Sequence, residues 1–227
     1  MKILAIETAS EACSAALLID DEISVRYEIK PRGHSELILS MMEELLANAD
    51  LKPKQLDAMA FGRGPGSFTG VRIATGVIQG AAFAAECPVV PVSTLAALAQ
   101  RGYREKGERN LLPAFDARMG ELYWAAYRAG EDGLVKQVLP EQVANVEQVS
   151  LPLDQEWYGV GSGWGCYGRR LGERLGEALL GYKAEIYCSA RDIAYLAVES
   201  FRAGMAVPAE QVLPAYLRNQ VAQKMKS

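Results

Sequence analysis

The sequence predicts an α/β chain made of two similar halves, and three observations carry that reading. Short apolar runs alternate with helix-length segments over 227 residues. The run Ile3-Leu4-Ala5-Ile6 closes on Glu7, and Leu111–Phe115 closes on Asp116, so each half opens with an apolar strand ending in an acid. A glycine-rich run, Gly62–Arg72, stands between an apolar strand and a long small-residue helix pattern. The strand-hairpin-helix order repeats, which suggests duplication.

The elements follow in order. Ile3–Ile6 reads as a buried strand. Cys13–Ile19 and Ile23–Ile29 flank Asp20-Asp21-Glu22, a hairpin turn. Ser35 is placed to cap a helix from Glu36 to about Asn48. Asp57–Gly62 is the next strand, followed by the glycine loop and a helix from Gly70 to Glu86 that Pro88 stops. Val89–Val92 is a strand, and Ser93 or Thr94 caps a helix ending near Gly102. In the second half, Leu111–Phe115, Glu121–Tyr127 and Trp157–Val160 read as strands, while 130–157 is weakly patterned and broken by Pro140 and Pro152. Helices are expected at Cys166–Glu177 and Ala190–Ala203, the second opened by a capping box of Ser189 with Asp192 and closed by Gly204.

Charge and composition exclude several classes. Net charge is −4 with both signs interspersed, unlike a chain whose main task is gripping phosphate backbones. The basic stretches Arg101–Arg109 and Arg169–Arg174 are short, mixed with glutamates, and read as solvated surface. Cysteines 13, 87, 166 and 188 form no Cys-x-x-Cys pair and suit a reducing cytoplasm. No apolar stretch reaches the length of a membrane span, so the expectation is a cytoplasmic, soluble protein.

The glycine run invites a phosphate reading, since its N–H groups and the following helix dipole favour an anion; Gly64, Gly66 and Ser67 are the candidates. Its spacing nonetheless misses both nucleotide patterns. Val71-Arg72 follows Gly70 where a P-loop requires Lys and Ser/Thr, and Ser67 or Thr69 takes the third glycine of Gly-x-Gly-x-x-Gly. A tight turn packed against a neighbour is the competing reading. His34 is the lone histidine, so a two-histidine metal site is excluded, and it reads as a local hydrogen-bonding residue at a helix start. Glu7 and Asp116 could pair across a cleft for metal or general-base work, or be structural. Neither a catalytic residue nor a metal ligand set is assigned.

Two helix faces stand out. Leu37, Ile38, Met41, Met42, Leu45 and Leu46 make an apolar surface broader than one sheet contact requires. Either the chain's own core or a subunit interface accounts for it. Thr69, Ile73, Gly76, Gly80 and Ala84 share one face of the next helix, where small side chains admit a sheet or a partner helix.

Ile3–Ala9, Gly62–Arg72, Asp116–Trp124 and Pro214–Asn219 together resemble the TsaB (YeaZ) family over essentially the whole chain. The resemblance implies two actin-like lobes of the sugar kinase/Hsp70/actin superfamily, mixed sheets flanked by helices, divided at about 105/106, with the C-terminal tail crossing back. It implies a non-catalytic subunit needed to form threonylcarbamoyladenosine beside the tRNA anticodon. Its partners would be TsaD and TsaE, with a homodimer when alone and tRNA met only through a partner. The docking surface would comprise Leu37, Ile38, Met41, Met42, Leu45, Ile73, Gly76, Gly80 and Ala84. No cofactor would be bound tightly by this chain alone, a nucleotide being placed at the contact with the partner. The alternative is an ATP-dependent phosphotransferase or ATPase of the same superfamily. Where that superfamily carries an Asp-x-Gly-Thr turn, this chain has Glu7-Thr8-Ala9-Ser10.

Overall fold

The computed structural model describes residues 1–30, 33–152 and 154–218. Strand β1 (Lys2–Glu7) lies mid-sheet because its apolar side chains are buried on both faces. It pairs antiparallel with β2 (Ala12–Ile19), which pairs antiparallel with β3 (Glu22–Ile29), and Asp20 at φ 53° makes the turn. On the other side β1 pairs parallel with β4 (Ala58–Gly62), and β4 parallel with β5 (Val89–Val92). Parallel neighbours need crossovers, which α1 (His34–Asn48) and α2 (Phe68–Ala85) supply. Helix α3 (Thr94–Lys106) leads to the second sheet.

That sheet repeats the plan. Strand β6 (Asn110–Asp116) pairs antiparallel with β7 (Glu121–Ala129), and β7 with β8 (Val135–Asn145). It pairs parallel with β9 (Trp157–Val160), and β9 with β10 (Leu179–Lys183). Helix α4 (Ser162–Leu175) crosses between the last two, and α5 (Ala190–Arg202) follows. The strands that end in Glu7 and Asp116 are therefore equivalent positions of two like sheets, β3-β2-β1-β4-β5 and β10-β9-β6-β7-β8. The fold is α/β, two mixed five-stranded sheets of like topology flanked by helices.

Alternation sorts the side chains into layers. Leu4, Ile6, Met59 and Phe61 face outward under α1 and α2, whose Ile38, Met42, Ala74 and Ile78 complete that core. Ile3, Ala5, Ala58 and Ala60 face the middle of the molecule, where Leu95, Leu98, Ile193 and Ala197 of α3 and α5 meet Leu111 and Tyr127 of the second sheet. The far face of that sheet, with Leu112 and Trp124, packs on Trp164 and Leu171 of α4. The middle helices are exchanged: α3 packs on the second sheet and α5 on the first. A bidentate pair joins them, Arg104 to Asp192 at 3.1 and 3.0 Å, with the carboxylate wholly buried.

Several sequence expectations are corrected. Strand β8 runs through Pro140, tolerated because β8 is an edge and the register shifts between Trp124 and Ala126 opposite. Strand β10, which the sequence did not signal, completes the second sheet. Helix α3 passes Gly102 to Lys106; a Cβ on Gly102 would come within 2.9 Å of Val160 Cγ1, so this glycine permits close packing rather than ending the helix. Gly107 at φ 76° ends it. Helix α4 begins at Ser162 rather than Cys166, so the glycine cluster there is its first turn. Gly33, not Ser35, precedes α1. Ser189 caps α5 through the Arg191 N–H, but Asp192 turns to Arg104 instead of closing a box.

After α5 the chain returns across the molecule. Val207 bridges to Val89, Gln79 Nε2 donates to the Ala209 carbonyl at 3.1 Å, and Ala215 N–H donates to the Arg63 carbonyl at 2.7 Å. Arg218 then donates to the Ala117 carbonyl at 2.9 Å and pairs with Glu121 on the second sheet. Asn219, the end of the tail motif noted above, lies outside the described residues.

Candidate functional site

The glycine loop is built around the end of β1. Ser67 N–H donates to the Ala9 carbonyl at 2.8 Å, and Thr8 Oγ1 donates to the Gly70 carbonyl at 2.7 Å. A Cβ on Gly66 would stand 2.5 Å from the Ala9 oxygen, and one on Gly70 only 2.0 Å from the Thr8 oxygen. Gly64 lies beneath the tail, its added Cβ 2.9 Å from the Ala215 carbonyl. Ser67 is the N-cap of α2, accepting from Gly70 N–H at 3.4 Å. Of the three anion candidates, Gly66 and Ser67 reach the cleft between the lobes, while Gly64 is covered.

That cleft, of about 700 Å³, is lined by the turn at Ala9–Glu11, the start of α1, the start of α2, and Asp116 and Arg118 opposite. Glu7 is not among its lining residues. It is fully buried, its Oε1 accepts from Ala9 N–H, and its Oε2 has no partner. Burial raises its carboxyl to about 7, against a smaller lowering by the Ala9 N–H. Asp116 faces the cleft and holds Arg118 at 3.1 Å. The structure thus separates the two acids that the sequence brought to mind as a pair. His34 Nδ1 meets the Thr8 carbonyl at 3.2 Å, so that nitrogen carries the proton, and Nε2 contacts no hydroxyl or thiol among the described residues. Cys13 is pushed up to about 12 by burial, then by Glu7 and Glu28. No group of three His, Cys, Asp or Glu side chains converges as a metal site among the described residues.

The helix faces divide differently from expectation. Ile38, Met41, Met42 and Leu45 are buried on the chain's own sheet, so α1 spends that surface internally and presents Glu36, Leu39, Ser40 and Glu43 outside. Leu37 is half-buried. On α2 the small stripe turns away from the sheet: Gly76, Gly80 and Ala84 are exposed and Ile73 is half-buried. A Cβ on Gly76 or Gly80 would meet nothing within 4 Å. Phe83 beside them is 72% exposed, Phe68 at the start of the helix 52%, and Leu39 on α1 51%. Phe68 and Phe83 are thus exposed on the same side of α2 as its shallow glycine floor. Phe68, Phe83 and Leu39 escaped the sequence reading. The first two recur on the stripe of Gly76 and Gly80, so helical spacing alone could have found them.

Comparison with known proteins follows the same line. The family model described as TsaD, tRNA N6-adenosine threonylcarbamoyltransferase, matches residues 25–224. The tRNA threonylcarbamoyladenosine biosynthesis protein TsaB of Escherichia coli (strain K12) is 42% identical, over 99% of this chain and 97% of its own length. The TsaB protein of Haemophilus influenzae is 37% identical, over 99% and 96%. The solved structure of YeaZ from Pseudomonas aeruginosa superposes with a TM-score of 0.88 at 44% identity, covering 95% of this chain and 99% of that one. No helix among the described residues is long and apolar enough to cross a membrane.

Proposed function

Since the chain belongs to the TsaB (YeaZ) family of tRNA threonylcarbamoyladenosine biosynthesis proteins, within the wider family of the TsaD model, we propose that it serves that modification as a non-catalytic docking subunit. Its partner would be TsaD, which it binds and activates, with TsaE in the same assembly and a homodimer formed when alone. tRNA would be held by a partner, in keeping with the acidic net charge. The cytoplasm is the compartment we propose, on the four free thiols.

The observation that carries the docking reading is the open stripe of α2. Gly76 and Gly80 leave a floor on which another helix backbone could lie closely, between Phe68 and Phe83 as apolar walls. The non-catalytic reading is supported by the loop, whose glycines serve close packing against β1, and by Glu7, sealed away from the cleft. A nucleotide, in this reading, belongs to the contact with the partner rather than to this chain alone.

Gly80→Leu tests the face. The added side chain enters open space, so the monomer should fold normally, while the partner helix should be pushed off. We expect loss of association in light scattering and loss of modification in an assay reconstituted with TsaD, TsaE and the threonylcarbamoyl-adenylate synthase. Retained association would overturn the assignment of the face. Calorimetry with ATP and magnesium tests the rest: micromolar binding by the isolated chain would favour the phosphotransferase alternative.

A further inference from the structure

A second groove, of about 910 Å³, is walled by Arg63 after β4, strands β5, β7 and β8, the end of α5 and Leu217 of the returning tail. It shares no lining residue with the cleft at Asp116, and none of its walls belongs to α1 or α2. The Glu141 carboxylate stands in this wall, its side chain only 10% exposed. Oε1 accepts from the Tyr127 hydroxyl at 3.1 Å and from the Ser93 hydroxyl. Ser93 is itself fixed as the N-cap of α3, accepting from the Ala96 N–H at 3.2 Å. Burial pushes the Tyr127 phenol up and Glu141 adds to the shift, so Tyr127 keeps its proton and stays a donor. One carboxylate oxygen is thus engaged, and the orientation of the group is set.

The other oxygen, Oε2, faces Arg63 across 3.8 Å, too far for a hydrogen bond. Every other ion pair among the described residues closes to 3.1 Å or less. The neighbouring pairs in the groove, Asp132 with Lys136 and Glu199 with Arg202, close to 3.0 and 2.8 Å. Arg63 is anchored by its backbone, its N–H on the Val92 carbonyl at 2.8 Å and its carbonyl under the Ala215 N–H at 2.7 Å. Its guanidinium, 40% exposed, has no closer carboxylate among the described residues. A positive and a negative charge therefore stand side by side on fixed supports, each with hydrogen-bonding capacity to spare.

The remaining walls decide the kind of ligand. Leu134, Leu196, Met205 and Leu217 line the groove, and Met205 is 57% exposed. Apolar walls around a few convergent polar groups are the make-up of a small-molecule site. A peptide strand is disfavoured, because the two edge strands bordering the groove carry Pro91 and Pro140, and each withholds an N–H. We propose that the groove binds a free α-amino acid with an apolar side chain, its carboxylate on the Arg63 guanidinium and its ammonium on Glu141 Oε2. Such a ligand carries both charges on one carbon, which matches two opposite charges held side by side. It replaces one slack ion pair by two charge-assisted contacts, and its side chain covers the apolar wall.

Isothermal titration calorimetry on the purified chain tests this with L-leucine, L-methionine and L-phenylalanine as probes. At least one should bind at a single site with a dissociation constant of about 1 mM or below. Glycine should bind roughly 10-fold more weakly or worse, for want of a side chain. The N-acetyl and amide forms of the best probe each delete one charge and should each lose roughly 10-fold or more. Arg63→Gln and Glu141→Gln should do the same, with circular dichroism to establish that each variant is folded. Should Glu141→Gln unfold, Arg63→Gln, altered at a half-exposed side chain, decides alone. No binding by any of the three probes overturns the proposal, as does wild-type affinity in either folded variant. Acetylated and amidated probes that bind as tightly as the free amino acid overturn it in favour of a peptide. Glycine binding as tightly as the three probes overturns the apolar assignment.

Discussion

Replacing Glu7 by Gln isolates the cost of a carboxyl sealed under the glycine loop. Glu7 is fully buried with one oxygen unpartnered, and its carboxyl is raised from 4.5 to about 7. Below pH 4.5 both folded and unfolded chains hold the proton and the shift has no effect. Between there and pH 7 the unfolded chain ionises while the folded one keeps its proton, so stability falls as pH rises, and the loss levels off above pH 7. At about 1.4 kcal/mol per pH step, the interval amounts to about 3 kcal/mol at full ionisation. From about pH 5 to about pH 8.5 the wild type should lose about 2.5 kcal/mol through this group. Glu7→Gln keeps the acceptor for Ala9 N–H and places an amide where Oε2 has no partner, an offset that does not vary with pH. Cys13 and Cys188, the thiols whose ionisation Glu7 opposes, are both raised and do not titrate in this window. Urea denaturation of both proteins across that range gives the difference directly. Parallel profiles for wild type and variant would refute the claim that Glu7 is held protonated by burial.

The other predictions concern packing and the link between lobes. Asp192→Ala strands Arg104 beside a buried vacancy at the α3–α5 contact and should cost about 3 kcal/mol, read from the urea midpoint. Gly70→Ala drives a methyl toward the Thr8 carbonyl and should destabilise by at least about 1–3 kcal/mol. Gly76→Ala, in open space on the same helix, should instead stabilise the monomer by about 0.5–1 kcal/mol; equal effects at the two sites would contradict the placement of the stripe. Trp164→Ala removes an indole packed between Trp124 and Tyr182, with its N–H on the Leu112 carbonyl, and should cost about 3–5 kcal/mol by thermal unfolding.

Much of the secondary structure was legible because its signals are local. The turn at Asp20, the caps at Ser93 and Ser189 and the stop at Pro88 act through residues within a turn of one another, whereas the cap at Ser67 shows only in the structure. Strand β8 was not legible, since Pro140 forbids a central strand but not an edge, and only the sheet shows which one β8 is. The same limit applies to the site. A glycine in a loop permits either an approaching phosphate or an approaching backbone, and the spacing of Gly66 and Gly70 fits both until Thr8 and Ala9 are seen against them.

The sequence by itself determined the α/β alternation, the two strands ending in Glu7 and Asp116, the family, and the two helices rich in apolar or small residues. Tertiary structure alone decided which of those helix faces remains open. Side-chain pattern records which residues avoid water but not what covers them. Methionines on α1 and glycines on α2 were equal candidates for a partner until the first sheet claimed the methionines and left the glycines outside. The exchange of α3 and α5 between the sheets, and the sealing of Glu7 from the cleft, likewise depend on contacts between residues far apart in the chain, which no local spacing encodes.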